Sequence, residues 1–209
     1  MNHRTVFAAL MVLGLAPLAA HAQGLASSYS VTPIGATDVS SHSDLSCAVG
    51  GTRPSNFSPR QAYYWDLGKL SLVNLSGYKE SYATAISSNN IIVGAAVPSN
   101  AYTPPGFVIS GGSLSWLPGL GGTTTSPMGV NDAGQVVGFA TNGSGLQKAF
   151  LFSGGQTVDL GTMGGPTSQA LGINNSGQIA GFSRISFSNG VTRAFLLANG
   201  RFTDLGSLT

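Results

Sequence analysis

Charge is what this chain of 209 residues has least of: Asp, Glu, Lys and Arg make up 8% of it, against roughly 25% in an average globular domain. With a formal net charge of +2 and no acidic or basic run, it offers no footprint for nucleic acid or an anionic membrane surface. Thiols are nearly missing as well. Cys47 stands alone, so no internal disulfide can form, and its expected place is a half-buried strand. Catalytic signatures are lacking: there is no G-x-S-x-G elbow, no H-E-x-x-H pair and no Walker loop. What the chain does have is 42% apolar residues, 9% aromatics and 30 glycines. That composition argues against disorder and for a neutral, glycine-punctuated globular domain.

The one long apolar run lies at the start. Met1 to Arg4 is short and polar with a positive charge, Val6 to Ala20 is apolar, and Ala20-His21-Ala22 has the small-x-small form of a signal-peptidase site. Residues 1–22 therefore read as a bacterial-type signal peptide, cleaved near Ala22/Gln23, which places the protein in the periplasm or outside the cell. No later run approaches the ~18 apolar residues of a membrane span, and no Cys follows the cleavage site to carry a lipid. Removing the segment takes away His3, His21 and Arg4. His42 is then the only histidine, and 8 basic residues against 7 acidic ones leave +1. One imidazole and one thiol cannot make a Cys–His metal centre, so no metal and no cofactor are expected.

The remainder, residues 23–209, is one repeat domain. AISSNNIIVGAA from Ala85, GVNDAGQVVGFA from Gly129 and GINNSGQIAGFS from Gly172 share a pattern, with SDLSCAVGG from Ser43 as a weaker copy. Their common glycines, Gly50, Gly94, Gly138 and Gly181, step by 44, 44 and 43 residues. AYYW, GFVI, AFLF and AFLL recur at about the same step, and Leu75, Leu117, Leu160 and Leu205 close the units. Three markers in phase at this period are the mark of a solenoid or propeller.

Each unit reads as four short strands. The first hairpin turns through Asn131-Asp132-Ala133-Gly134 and its counterparts, with Asn90 at the glycine position of the second unit; the second turns at Gly111-Gly112, Gly154-Gly155 and Asn199-Gly200. Runs such as IIVGAAV are apolar at consecutive positions, which suits strands covered on both faces by neighbouring units. The expected fold is all-β: four units of about 44 residues, each a four-stranded propeller-like blade. A four-blade ring, a five-blade ring and an open stack are the alternatives. YSVTPIG, from Tyr29, reads as a spare fourth strand that could seal a ring.

At these residues the chain resembles a known family. KAFLFSGGQTVDLGTMGGPTSQALGINNSGQIAGFS, from Lys148 to Ser183, is similar to the HAF repeat of bacterial extracellular proteins, and the resemblance runs from about Ser43 to Thr209. The eponymous His-Ala-Phe here begins with Lys148, Arg193, Gln61 or Pro105 instead. The resemblance implies an extracellular repeat protein and attaches no particular activity to it.

Candidate chemistry is sparse. Ser76 to Lys79 fits S-x-x-K, which a Ser-rich chain meets by chance, and it falls between units rather than on a helix. Asp159 and Asp204 share one repeated position and Asp132 sits in a turn, which points to strand-end hydrogen bonds, although a carboxylate pair could also cleave a glycosidic bond. The long links between second and third strands should share one face of the domain, where binding residues collect. That face would carry the ligand-binding candidates Arg53, Phe57, Arg60, Tyr102, Arg184 and Phe187, suited to an extracellular polysaccharide or cell-surface polymer. Trp65 and Trp116, on or beside strands, are expected in the core. The reading is a non-catalytic binding or surface-interaction module; a carbohydrate-active hydrolase and a structural array are the alternatives.

Overall fold

A computed structural model of the protein describes residues 38–42, 47–52, 60–66, 69–73, 75–100, 103–188 and 190–206, so residues 1–22 and the Tyr29 segment lie outside the described residues. Sixteen strands form four antiparallel sheets, each of four strands in chain order. The first holds β1 (Asp38–His42), β2 (Cys47–Thr52), β3 (Gln61–Asp66) and β4 (Lys69–Leu72). The second holds β5 (Tyr78–Ile86), β6 (Ile92–Pro98), β7 (Gly106–Ser110) and β8 (Ser113–Trp116). The third holds β9 (Gly121–Val130), β10 (Val136–Asn142), β11 (Gln147–Ser153) and β12 (Gln156–Gly161). The fourth holds β13 (Ser168–Ile173), β14 (Ile179–Arg184), β15 (Thr192–Ala198) and β16 (Arg201–Gly206). The all-β fold of four four-stranded units thus stands as the repeat phase implies.

Turn chemistry sets the hairpins. Gly111-Gly112, Gly154-Gly155 and Asn199-Gly200 all take positive φ at both positions, the geometry whose twist matches a two-residue hairpin. Asn90 has φ 59° where Gly134 and Gly177 have 74°, so asparagine fills the left-handed position as expected.

The sheets stack like blades. First strands of consecutive sheets pack on one another while fourth strands do not, so the first strands line the axis and the fourth strands form the rim. Strand alternation gives every blade two faces. In the second sheet Ile92 and Phe107 face the first sheet with Cys47, Val49 and Ala62, whereas Val93 and Leu117 face the third sheet with Val136 and Phe150. Val137 and Ala149 then meet Ile179 and Phe195 of the fourth sheet. Consecutive apolar residues follow directly: Ile92 to Ala96 are all buried, half toward each neighbour. Cys47 is fully buried in the first seam, deeper than expected, with its Sγ 3.4 Å from the Tyr64 hydroxyl.

The in-phase glycines are packing positions rather than turns. A Cβ on Gly94 or Gly181 would stand 2.6 or 2.7 Å from the ring of Phe107 or Phe195 on the adjacent strand, and at Gly94, Gly138 and Gly181 it would collide with the carbonyl of Tyr82, Ser126 or Gln169. The bulged first strand presses on the second, and glycine leaves room for it. Among the described residues no apolar cluster joins the fourth sheet to the first, so these four sheets form an arc.

Candidate functional site

Antiparallel strands in chain order put both tight hairpins of each unit at one end and all longer loops and links at the other. Of the candidate residues on that loop face, Arg53, Phe57 and Tyr102 lie outside the described residues. Arg184 and Phe187 belong to the fourth sheet: Arg184 is exposed at the end of β14 and Phe187 is 75% exposed in the loop that follows. Arg60 lies at the first seam, with the second and third sheets in between. Of the three described candidates, Arg60 thus stands apart from Arg184 and Phe187.

Arg60 is the member with defined surroundings. It precedes β3, its carbonyl accepts the Ser81 N–H at 2.8 Å, and the Ser81 hydroxyl accepts the Ala62 N–H at 2.9 Å. Its guanidinium lies over Gly51 and 5.5 Å from the ring centre of Tyr82 on β5, a cation–π arrangement. Burial pushes the Tyr82 phenol above its ordinary value, and the Arg60 charge pulls it partly back. Ser81 has counterparts in Thr125 and Ser168, where the Ala149 N–H donates to the Ser168 hydroxyl at 2.9 Å. The buried hydroxyls of Ser81 and Ser168 tie the second and fourth sheets to their predecessors, while at Thr125 the backbone N–H donates to the Pro104 carbonyl at 3.1 Å.

Beside Arg60 the seam opens into a cleft of about 70 Å³, lined by Gln61, Lys79, Glu80 and Ser81 over Val73 and Leu75. Tyr78 forms its wall and stacks on Trp116, with ring centres 4.8 Å apart and planes at 28°. Trp116 in turn meets Phe107 edge-on at 6.3 Å. Trp116 is 40% exposed, a correction to its expected core position, because it ends a fourth strand and fourth strands form the rim. The side chain of Trp65 lies outside the described residues. A 70 Å³ cleft is far smaller than the ~300 Å³ or more that encloses a small ligand. It has room for one polar substituent, with the exposed indole beside it offering a flat apolar face.

Sequence reasoning passed over Tyr78, Tyr82, Glu80 and Trp116 as a group. Tyr78, Glu80 and Tyr82 lie on β5 and Trp116 on β8 of the same sheet, far apart in sequence, and only the stacking of the first two blades brings Arg60 to them.

The repeated carboxylates have structural partners. Asp159 accepts the Gly161 N–H at 2.8 Å and Asp204 accepts the Gly206 N–H at 2.7 Å, each closing the bulge at which the strand ends. Asp204 also pairs with Arg193 at 3.0 Å. Ser76 is exposed in the link between sheets, away from any helix. Among the described residues no three His, Cys, Asp or Glu side chains come close enough to hold an ion.

The blade arrangement is similar to that in the crystal structure of TolB from Acinetobacter baumannii, with a TM-score of 0.60 at 15% identity over 79% of this chain. The likeness is one of fold, a β-propeller, and this chain spans 42% of that one. No family model and no curated protein matches the chain.

Proposed function

We infer that the protein is an exported, non-catalytic binding module that holds an extracellular polysaccharide or cell-surface polymer at the first seam. The observation that carries this reading is the Tyr78–Trp116 stack, half-open to solvent and sharing Tyr78 with a cleft lined by Arg60, Lys79 and Glu80. A flat aromatic face beside charged hydrogen-bonding groups suits a sugar ring and its substituents, and the small cleft favours a polymer held at the surface over an enclosed small molecule. Export rests on the Val6–Ala20 run and the Ala20-His21-Ala22 site. No helix among the described residues is long and apolar enough to cross a membrane. The resemblance to the HAF repeat agrees with an extracellular setting.

The test is retention on a panel of neutral and acidic polysaccharides by affinity electrophoresis, with the chain from Gln23 onward. Trp116→Ala and Arg60→Gln should each weaken retention about tenfold or more, or ~1.4 kcal/mol, while the melting temperature stays within a few degrees. Full retention in both variants would move the site elsewhere, and release of reducing ends from any member of the panel would replace binding with hydrolysis.

A further inference from the structure

Because the blades repeat, each side chain at the first seam has a counterpart at the seams that follow. Arg60 lies 5.5 Å from the ring centre of Tyr82. Two repeats on, the same two positions hold Gln147 and Gln169, and the Gln169 amide donates to Gln147 Oε1 at 3.0 Å. Two neutral side chains therefore suffice to tie a seam at this place. Tyr78, Lys79 and Glu80 become Gly122, Thr123 and Thr124 one repeat on, and Gly165, Pro166 and Thr167 after two. Trp116 pairs across its hairpin with Phe107, where Asp159 and Asp204 pair with Phe150 and Phe195. Those aspartates close the strand-end bulge by accepting a backbone N–H, which an indole cannot do, and Trp116 stands 40% exposed instead. Blades three and four pack with neither charge nor aromatic ring at the places of Arg60, Tyr78, Lys79 and Tyr82. Packing alone thus does not call for these groups at the first seam.

We propose that the polymer held at this seam is an acidic polysaccharide: one sugar ring lies on the Tyr78–Trp116 face, and its carboxylate or sulfate enters the cleft beside Arg60 and Lys79. This rests on the reading of the seam as a polysaccharide site. The cleft sets two cations against the single carboxylate of Glu80, so it is positive on balance. Lys79 is exposed and has no hydrogen bond or ion pair among the described residues. An anion can therefore gain a charge-assisted bond from its ammonium without breaking one already made. The Tyr82 ring holds the Arg60 guanidinium at the wall, which positions its charge before a ligand arrives. A cleft of about 70 Å³ admits a carboxylate or sulfate and leaves the ring that carries it outside, against the stack. A neutral polymer would meet the same aromatic face and leave the excess positive charge unanswered.

Affinity electrophoresis of the chain from Gln23 in gels containing polygalacturonate, alginate, chondroitin sulfate or neutral hydroxyethylcellulose tests this. Retention should be about tenfold stronger on an acidic polymer than on hydroxyethylcellulose, and should weaken as salt is added. Methyl esterification separates the two sources of charge: it abolishes retention where a carboxylate is bound and leaves retention on chondroitin sulfate where the sulfate is. Lys79→Glu, at an exposed side chain, should weaken retention on the acidic polymer about tenfold without lowering the melting temperature. Equal retention on acidic and neutral polymers, lost in Trp116→Ala, would overturn the acidic assignment while the seam remained a polysaccharide site. Retention on the acidic polymers that Trp116→Ala leaves intact would be ion exchange at the surface and would overturn it as well. No retention on any of the four would remove the polysaccharide reading, and this inference with it.

Discussion

Asp132 and Asn175 hold each other through two hydrogen bonds: the Asn175 amide donates to Asp132 Oδ2 at 2.7 Å, and the Asp132 N–H donates to Asn175 Oδ1 at 3.0 Å. The two lie 43 residues apart at the tips of successive first hairpins. On its other side Asp132 accepts the Asn89 N–H at 3.3 Å and, through its carbonyl, the Asn89 amide at 3.0 Å. One aspartate thus joins the tips of three blades. Asp132→Ala removes the two of these bonds that its carboxylate accepts, at an exposed site, so the loss should be about 1–2 kcal/mol, or roughly 2–8 °C in melting temperature for a domain of this size. Ala133→Ser, on the same turn but outside the ladder, should leave the melting temperature unchanged; equal effects of the two would show that the ladder contributes nothing.

Glycine at the in-phase position should be irreplaceable for a reason unrelated to turns. In Gly138→Ala the new methyl meets the backbone of Ser126 and Pro127, which cannot rotate aside. The cost should reach the upper end of the ~1–3 kcal/mol typical of overpacking. Gly143→Ala adds its methyl to open space and should be neutral. Urea unfolding of the two variants separates the cases, and a Gly138→Ala protein as stable as the parent would refute the packing account.

Phe150 and Phe187 offer a contrast between a seam and a loop. Phe150 is fully buried in the seam between the second and third sheets, so Phe150→Ala should cost about 3–5 kcal/mol. Phe187→Ala, at a site open to solvent, should change stability by less than ~0.5 kcal/mol. Calorimetry on both should show the first melting far below the parent and the second beside it.

Tyr82 should mark the alkaline limit of stability. Its folded phenol has a raised pKa, chiefly through burial. A raised value means that the contribution is complete below the unfolded pKa of about 10 and is lost as pH rises through the higher folded value. Melting temperature should therefore hold steady from neutral pH to near 10 and decline above it. Tyr82→Phe should flatten the decline, and Arg60→Gln should steepen it by removing the charge that favours the phenolate. An identical alkaline slope in parent and Tyr82→Phe would assign the loss to other groups.

Much of the architecture was legible in the chain because each blade is written locally. Glycine and asparagine at fixed offsets specify the hairpins, and branched aliphatics on both faces announce that each strand is covered twice. The seams were harder to read. The ladder links Asp132 to residues 43 positions away on either side, and Asn89 sits one place beyond the strict phase of the repeat, so alignment of the units hides it. Trp116 looked like core because size and apolarity favour burial, but its strand is the fourth, and only radial stacking reveals that fourth strands form a rim. Arg60 was visible as a loop cation; its aromatic partner Tyr82 belongs to the next blade. Alternation did contain one unread signal: hydroxyls recur at Ser81, Thr125 and Ser168 at the repeat step.

Because each described sheet rests only on the sheets adjacent to it in sequence, the arc has a direction of assembly. A chain emerging in order on the far side of an export channel would deliver each described blade to a neighbour that is already present. Among the described sheets loop closure then spans little more than one repeat, which keeps its entropic cost small and folding fast for an all-β protein. Loss of structure should run the other way, with the terminal blade peeling first and the inner seams surviving as a shorter stack.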